Sequence, residues 1–145
     1  MPGLLKGVVM AVLSSEVKAV FETVPAVVLS TASVDGQPNA AVVAMKKVID
    51  DETVYVSDQF FKKTLANLKA NAKVAIAFWG DGGAYQIHGT ARYVDEGEEF
   101  AAQKAWVDAA FQAMGAPIVA KGGAFVHVDA VFQMSAGPDA GDRIA

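Results

Sequence analysis

The stretch Phe60–Ile76, FFKKTLANLKANAKVAI, places two lysines and a threonine ahead of a short helical pattern. Phe61, Leu65 and Leu68 fall at i, i+4 and i+7, one face of a helix. A valine-rich strand follows at Val74–Trp79. The first turn of a helix has free backbone N–H groups and the positive end of the helix dipole, so it suits an anion. Lys62 and Lys63 add charge there, and Thr64 adds a hydroxyl donor. The segment reads as a phosphate seat. The alternative is a solvated lysine pair on a surface turn, the ordinary setting of lysine.

Outward from this segment the chain reads as short strands with helices beside them. Ser14 or Ser15 caps a helix to about Thr23, with Pro25 just beyond. A β-branched strand spans Ala26–Ala32, and Asp35-Gly36 is a hairpin turn signal. A long second strand runs Asn39–Ile49; its Ala40–Met45 run is apolar throughout, which predicts that both faces are covered. Asp50-Asp51 turns into a third strand, Thr53–Ser57. Beyond Val74–Trp79, a loop at residues 80–83 leads to a fifth strand, Ala84–Val94. Its residues alternate: Tyr85, Ile87, Ala91 and Tyr93 face one way, Gln86, His88, Thr90 and Arg92 the other. A helix from Glu98 to Met114 carries an apolar stripe of Phe100, Val107, Phe111 and Met114. A last strand, Ala124–Met134, follows Gly122-Gly123. The pattern predicts one domain over residues 1–145, mainly β with helices (α+β). Six antiparallel strands suggest a barrel, but periodicity alone leaves an open sheet equally allowed.

Composition narrows the partners. Of 145 residues, 53% are hydrophobic and 19% charged, so a core can form and apolar surface is left for an oligomer interface. Net charge −4 argues against nucleic acid or an anionic membrane as a partner. The absence of cysteine removes disulfides, thiolate metal sites and cysteine nucleophiles. The apolar run Val8–Leu13 is too short for a signal-peptide core and reads as part of the folded domain. No run reaches the ~20 apolar residues of a membrane span, so the expected compartment is the cytoplasm.

Other chemistries find little support. His88 and His127, the two histidines, lie on different strands without further ligands at matched spacing, so no metal site is expected. Glu96, Glu98 and Glu99 read as a solvated helix start. No serine occupies a nucleophile elbow, and the glycines at 80–83 lack a dinucleotide-loop context.

Read whole, VYVSDQFFKKTLANLKANAKVAIAFW (Val54–Trp79) resembles the FMN-binding split-barrel family, the group of pyridoxamine 5'-phosphate oxidase and its small FMN-binding relatives. STASVDGQPNAAVVAMKKVIDDETV, AYQIHGTARYV and AFVHVDAVFQMSAGPDAGDRI resemble further pieces of that family in order, from about residue 20 onward. The resemblance implies a six-stranded antiparallel split β-barrel, FMN as cofactor, and a homodimer with the cofactor near the subunit interface. It implies that Lys62, Lys63 and Thr64 hold the phosphate. Ala41, Val42, Val43 and Ala44 line the cofactor, largely through backbone. Val56 and Ser57 flank the isoalloxazine ring, and Gln86 offers a polar contact.

The expected function is a flavin oxidoreductase or electron-transfer protein with an unidentified small-molecule or protein redox partner. Two alternatives are a non-catalytic haem or flavin carrier, with a histidine as haem ligand, and a deazaflavin-dependent reductase. One departure from the family is clear. The oxidase has an arginine at the start of its second-strand segment, where this chain has Ala40-Ala41, and a C-terminal arginine- and histidine-bearing motif that is missing here. The tail GPDAGDRIA, Gly137–Ala145, reads as a frayed end. Its alternative is a segment folded back so that Arg143 meets a carboxylate or the cofactor phosphate.

Overall fold

The computed structural model describes residues 11–145. Seven antiparallel strands and three helices follow one another as α1 (Ser15–Thr23), β1 (Val27–Ala32), β2 (Pro38–Val43), β3 (Lys46–Asp50), β4 (Thr53–Asp58), α2 (Lys63–Ala70), β5 (Lys73–Gly80), β6 (Gly83–Val94), α3 (Glu98–Ala113) and β7 (Gly122–Gln133). They form one curled sheet in the order β2-β1-β5-β6-β7-β4-β3.

The expectation of six strands is corrected to seven, because the predicted second strand, Asn39–Ile49, is two strands. β2 pairs with β1 at one edge of the sheet, and β3 pairs with β4 at the other. Only Ala44 and Met45 join them. From Val43 to Lys46 the chain can span at most about 10 Å, so the two edges must approach each other. The sheet therefore curls into a barrel that remains split along this crossing. Pro38 opens β2 at an edge, where its missing N–H costs the ladder nothing.

The interior is filled from alternate strand positions and from α1. Leu29, Val54, Val56, Ile76, Phe78, Ile87, Val126 and Val131 are fully buried. α1 inserts Val17, Val20 and Phe21, and the Phe21 ring meets Phe78 edge-on at a centroid distance of 5.1 Å. Ser14 caps this helix by accepting the Val17 N–H. The predicted apolar run Val8–Leu13 lies partly outside the described residues; within them, Ala11 and Leu13 join the core. A smaller cluster under α3 gathers Phe100, Val107 and Ala120, with Phe111 half-buried. Met114, expected in the apolar stripe of α3, is exposed beyond its end.

Two further expectations change. Ala40, Val42 and Ala44 were expected to be covered on both sides, yet in the single chain they face outward and are exposed. The tail is not frayed. It folds back on the end of β7, with Gly141 N–H donating to Gln133 O at 2.7 Å and Ile144 N–H to Val131 O at 2.8 Å. No helix among the described residues is long and apolar enough to cross a membrane.

Candidate functional site

The split in the barrel opens into a cleft of about 430 Å³. One wall is β2 and the crossing, Asn39–Met45. Successive residues of a strand point to opposite faces, so consecutive residues can all line one cleft only through their backbone. β2 is an edge strand, and half of its N–H and C=O groups point away from β1. The opposite wall is the end of β4 at Ser57, the turn Gln59–Lys62 and the first turn of α2. Phe111 of α3 closes one side.

α2 begins at Lys63, later than the phase of Phe61 suggests, and Lys62 is its N-cap. Lys62 makes no side-chain capping bond, and the first turn carries no acidic residue. The leading N–H groups are thus left for another acceptor. Neither Lys62 nor Lys63 is in an ion pair among the described residues. Both are exposed. Thr64 is buried, and its Oγ1 accepts from Asn39 Nδ2 at 3.0 Å. Asn39 Nδ2 also reaches Thr31 Oγ1 at 3.2 Å, and Asn67 Nδ2 donates to the same oxygen at 3.0 Å. At the far wall, Gln59 Nε2 donates to Ser57 Oγ at 2.7 Å.

The fold thus gathers Ala41, Val42, Val43, Ala44, Ser57, Lys62, Lys63 and Thr64 around one cleft. Val56 does not reach it, because its side chain is fully buried in the barrel interior. Gln86 stands elsewhere on β6, with its amide oxygen 2.6 Å from His88 Nε2 and its nitrogen directed to Met134 Sδ. Asn39, Ala40, Met45, Gln59, Phe60, Phe61 and Phe111 also line the cleft, beyond the site residues that the sequence predicts. A lone asparagine at the head of an apolar strand is the one local signal among them.

Arg143 does not approach this cleft. Its guanidinium donates to the backbone carbonyls of Ala145 and Asp129. With Lys73 and His88 it lines a second cleft of about 630 Å³ on the outer face of the sheet. His127 lies between Glu52 and Asp129, at 3.6 and 3.3 Å. Among the described residues, no group of three or more His, Asp or Glu side chains is arranged to hold a metal ion.

Comparisons with known proteins agree with this architecture. An uncharacterized protein of Methanocaldococcus jannaschii is 38% identical over 122 residues, which is 82% of this chain and 79% of that protein. The crystal structure of HupZ from Group A Streptococcus superposes with a TM-score of 0.73 at 27% identity, covering 89% of this chain and 99% of that one. An FMN-binding protein of Syntrophomonas wolfei shares the fold at a TM-score of 0.67 and 21% identity, over 81% and 82% of the two chains. So does a haem storage protein of Vibrio cholerae, at 0.64 and 18%, over 83% and 94%. The family model for pyridoxamine 5'-phosphate oxidase matches residues 13–131. That span takes in α1, both edges of the split barrel and the lysine turn between them, and by it the chain belongs to the pyridoxamine 5'-phosphate oxidase-related, FMN-binding split-barrel family.

Proposed function

We propose that the cleft binds FMN, with Lys62, Lys63 and Thr64 holding its phosphate, and that the chain works as a homodimeric oxidoreductase or electron carrier. The observation that carries this reading is one cleft combining an uncapped helix start, two lysines that have no acidic partner among the described residues, and a strip of edge-strand backbone. These residues fit the group. Lysines and first-turn N–H groups suit a phosphate. Free N–H and C=O groups along Ala41–Ala44 suit the donor and acceptor edge of a flavin ring. A volume of about 430 Å³ is of the size that small-molecule sites use.

Bound FMN would supply hydride or single-electron transfer, chemistry that belongs to the cofactor. The chain's part is to hold the phosphate, orient the ring edge and exclude water. Among the described residues no Asp, Glu or His lines the cleft, and no side chain there is assigned as a general acid or base.

The homodimer reading rests on the outer face beside the cleft. Val42 is 76% exposed. It begins a row across the sheet, Val42–Val28–Ala77, beside the row Ala40–Ser30–Ala75. Such a face of small and apolar side chains is poorly suited to water and well suited to a second copy. A partner placed there would put the cofactor near the subunit interface.

Mass spectrometry of the cofactor released from purified protein, with its visible spectrum, tests the reading. FMN and a flavin spectrum are expected; a deazaflavin mass would overturn it. Sedimentation should give a dimer, and a monomer carrying FMN would overturn that part. A second reading, a haem carrier, draws on His88 beside Lys73 and Arg143 in the second cleft. Its mark would be a Soret band lost in His88→Ala.

A further inference from the structure

Asp58, at the end of β4, is fully buried, and among the described residues no lysine, arginine or histidine pairs with it. A buried carboxylate is costly unless hydrogen bonds satisfy it. Two do so here. Oδ1 accepts the Phe61 N–H at 2.9 Å, which closes the turn leading straight into Lys62 and Lys63. Oδ2 accepts the Tyr93 hydroxyl at 2.6 Å, from β6 across the intervening strand β7. The Asp58 carbonyl accepts the Lys121 N–H at 2.9 Å, which ties the same residue to the start of β7. Gly122 leaves room for this arrangement, since a Cβ there would collide with the Tyr93 hydroxyl.

α2 needs such an anchor because its own N-cap supplies none. Lys62 has φ −128° and ψ −81°, with no side-chain capping bond. The direction in which the first-turn N–H groups and the two lysines point is therefore set by the turn ahead of the helix together with the Asn39–Thr64 bond within its first turn. That turn is held at one end by Asp58.

We infer that Asp58 and Tyr93 are positioning residues for the anion-holding turn: the pair fixes the pose of Phe61–Thr64 so that its N–H groups and lysines meet the ligand's phosphate. The inference rests on the FMN reading above. Asp58 does not line the cleft, and its oxygens are taken up by donors, so its charge acts through the turn rather than against the ligand. A charge-assisted bond is stronger and better directed than a neutral one, which gives a reason for aspartate here rather than asparagine.

The experiment is fluorescence titration of flavin-stripped wild type, Tyr93→Phe and Asp58→Asn with FMN and, separately, with riboflavin, which lacks the phosphate. Wild type should prefer FMN. Each variant should lose about tenfold in FMN affinity, as for one charge-assisted contact, while riboflavin affinity stays unchanged. A parallel fall for both flavins would reveal general loosening and overturn the inference. So would a wild-type preference retained in full by both variants. Equal wild-type affinity for the two flavins would overturn the phosphate seat itself, and the inference with it. Tyr93→Phe removes one oxygen and keeps the ring, so it carries the test alone where Asp58→Asn does not fold.

Discussion

Asn39 donates to Thr64 across 3.0 Å, joining the head of an edge strand to the first turn of the helix that carries the lysines. Because the Thr64 oxygen accepts this bond, its own hydrogen is directed elsewhere, and the cleft offers an acceptor once an anion is present. Asn39→Ala is expected to lose about 1–2 kcal/mol of stability in urea unfolding and to weaken FMN binding several-fold. Asn39→Asp, similar in shape but unable to donate and negatively charged beside the phosphate seat, should lose at least as much affinity. Wild-type affinity in Asn39→Asp would remove the donor from the account.

Each charge-assisted lysine–phosphate contact contributes about 1.5–3 kcal/mol. Lys63→Ala is therefore expected to weaken FMN binding about tenfold or more, and the Lys62→Ala/Lys63→Ala double variant further. Flavin fluorescence measures both. Unchanged affinity in the double variant would refute the phosphate seat.

Among the described residues, the buried Tyr55 hydroxyl has no hydrogen-bond partner. An unsatisfied buried hydroxyl costs about 1–3 kcal/mol, so Tyr55→Phe should stabilise the fold by about 1 kcal/mol. Gly123→Ala should do the reverse, by about 1–3 kcal/mol, because its Cβ would collide with that hydroxyl. Urea midpoints of the two single variants and the double variant check this. A loss of stability in Tyr55→Phe would mean that the hydroxyl is satisfied in solution.

Burial, with the charge of Asp58 adding to it, pushes Tyr55 up to about 12. Tyr93 is raised in the same direction, by burial and then by its bond to Asp58. A raised folded-state value means that the folded chain keeps protons the unfolded chain releases. Stability is then level below the ordinary tyrosine value of about 10 and falls as pH rises beyond it. Urea midpoints between pH 8 and 11 should show this break, and Tyr93→Phe should soften it. A decline already under way at pH 8 would assign the alkaline limit to other groups.

Turnover of pyridoxine phosphate is not expected. After residue 121 the candidates for the oxidase's substrate motif are His127 and Arg143. One lies between two carboxylates and the other is held by backbone carbonyls. Neither lines the lysine cleft. A rate on the order of 1 per second in an anaerobic and aerobic assay pair would overturn this.

What the sequence discloses about this chain is mostly what local forces decide. Ser14 marks the start of α1, and Gly36, with φ of 93°, marks the β1–β2 turn. The lysine turn is visible because charge and helical phase coincide within a few residues. The break at Ala44-Met45 leaves no mark: the run Ala40–Met45 contains no glycine, proline or polar side chain. It arises because two sheet edges must meet, a tertiary demand with no local period. The bonds Asn39–Thr64 and Asp58–Tyr93 span 25 and 35 residues, and nothing near either partner announces the other. Gln86 has a plausible alternation for a site residue, but alternation fixes a face of the sheet and not which end of the barrel is used.

The two-residue crossing at Ala44-Met45 also limits how the molecule can breathe. A lid on a long loop can swing clear and leave the rest intact. Here, widening the seam beyond the reach of two residues requires β2 to peel from β1 or β3 from β4. Exchange of whatever occupies the seam is then coupled to fraying of an edge strand. Amide hydrogens of Leu29–Thr31 and Val54–Val56 would report occupancy through slower exchange with solvent, even though none of these residues lines the cleft.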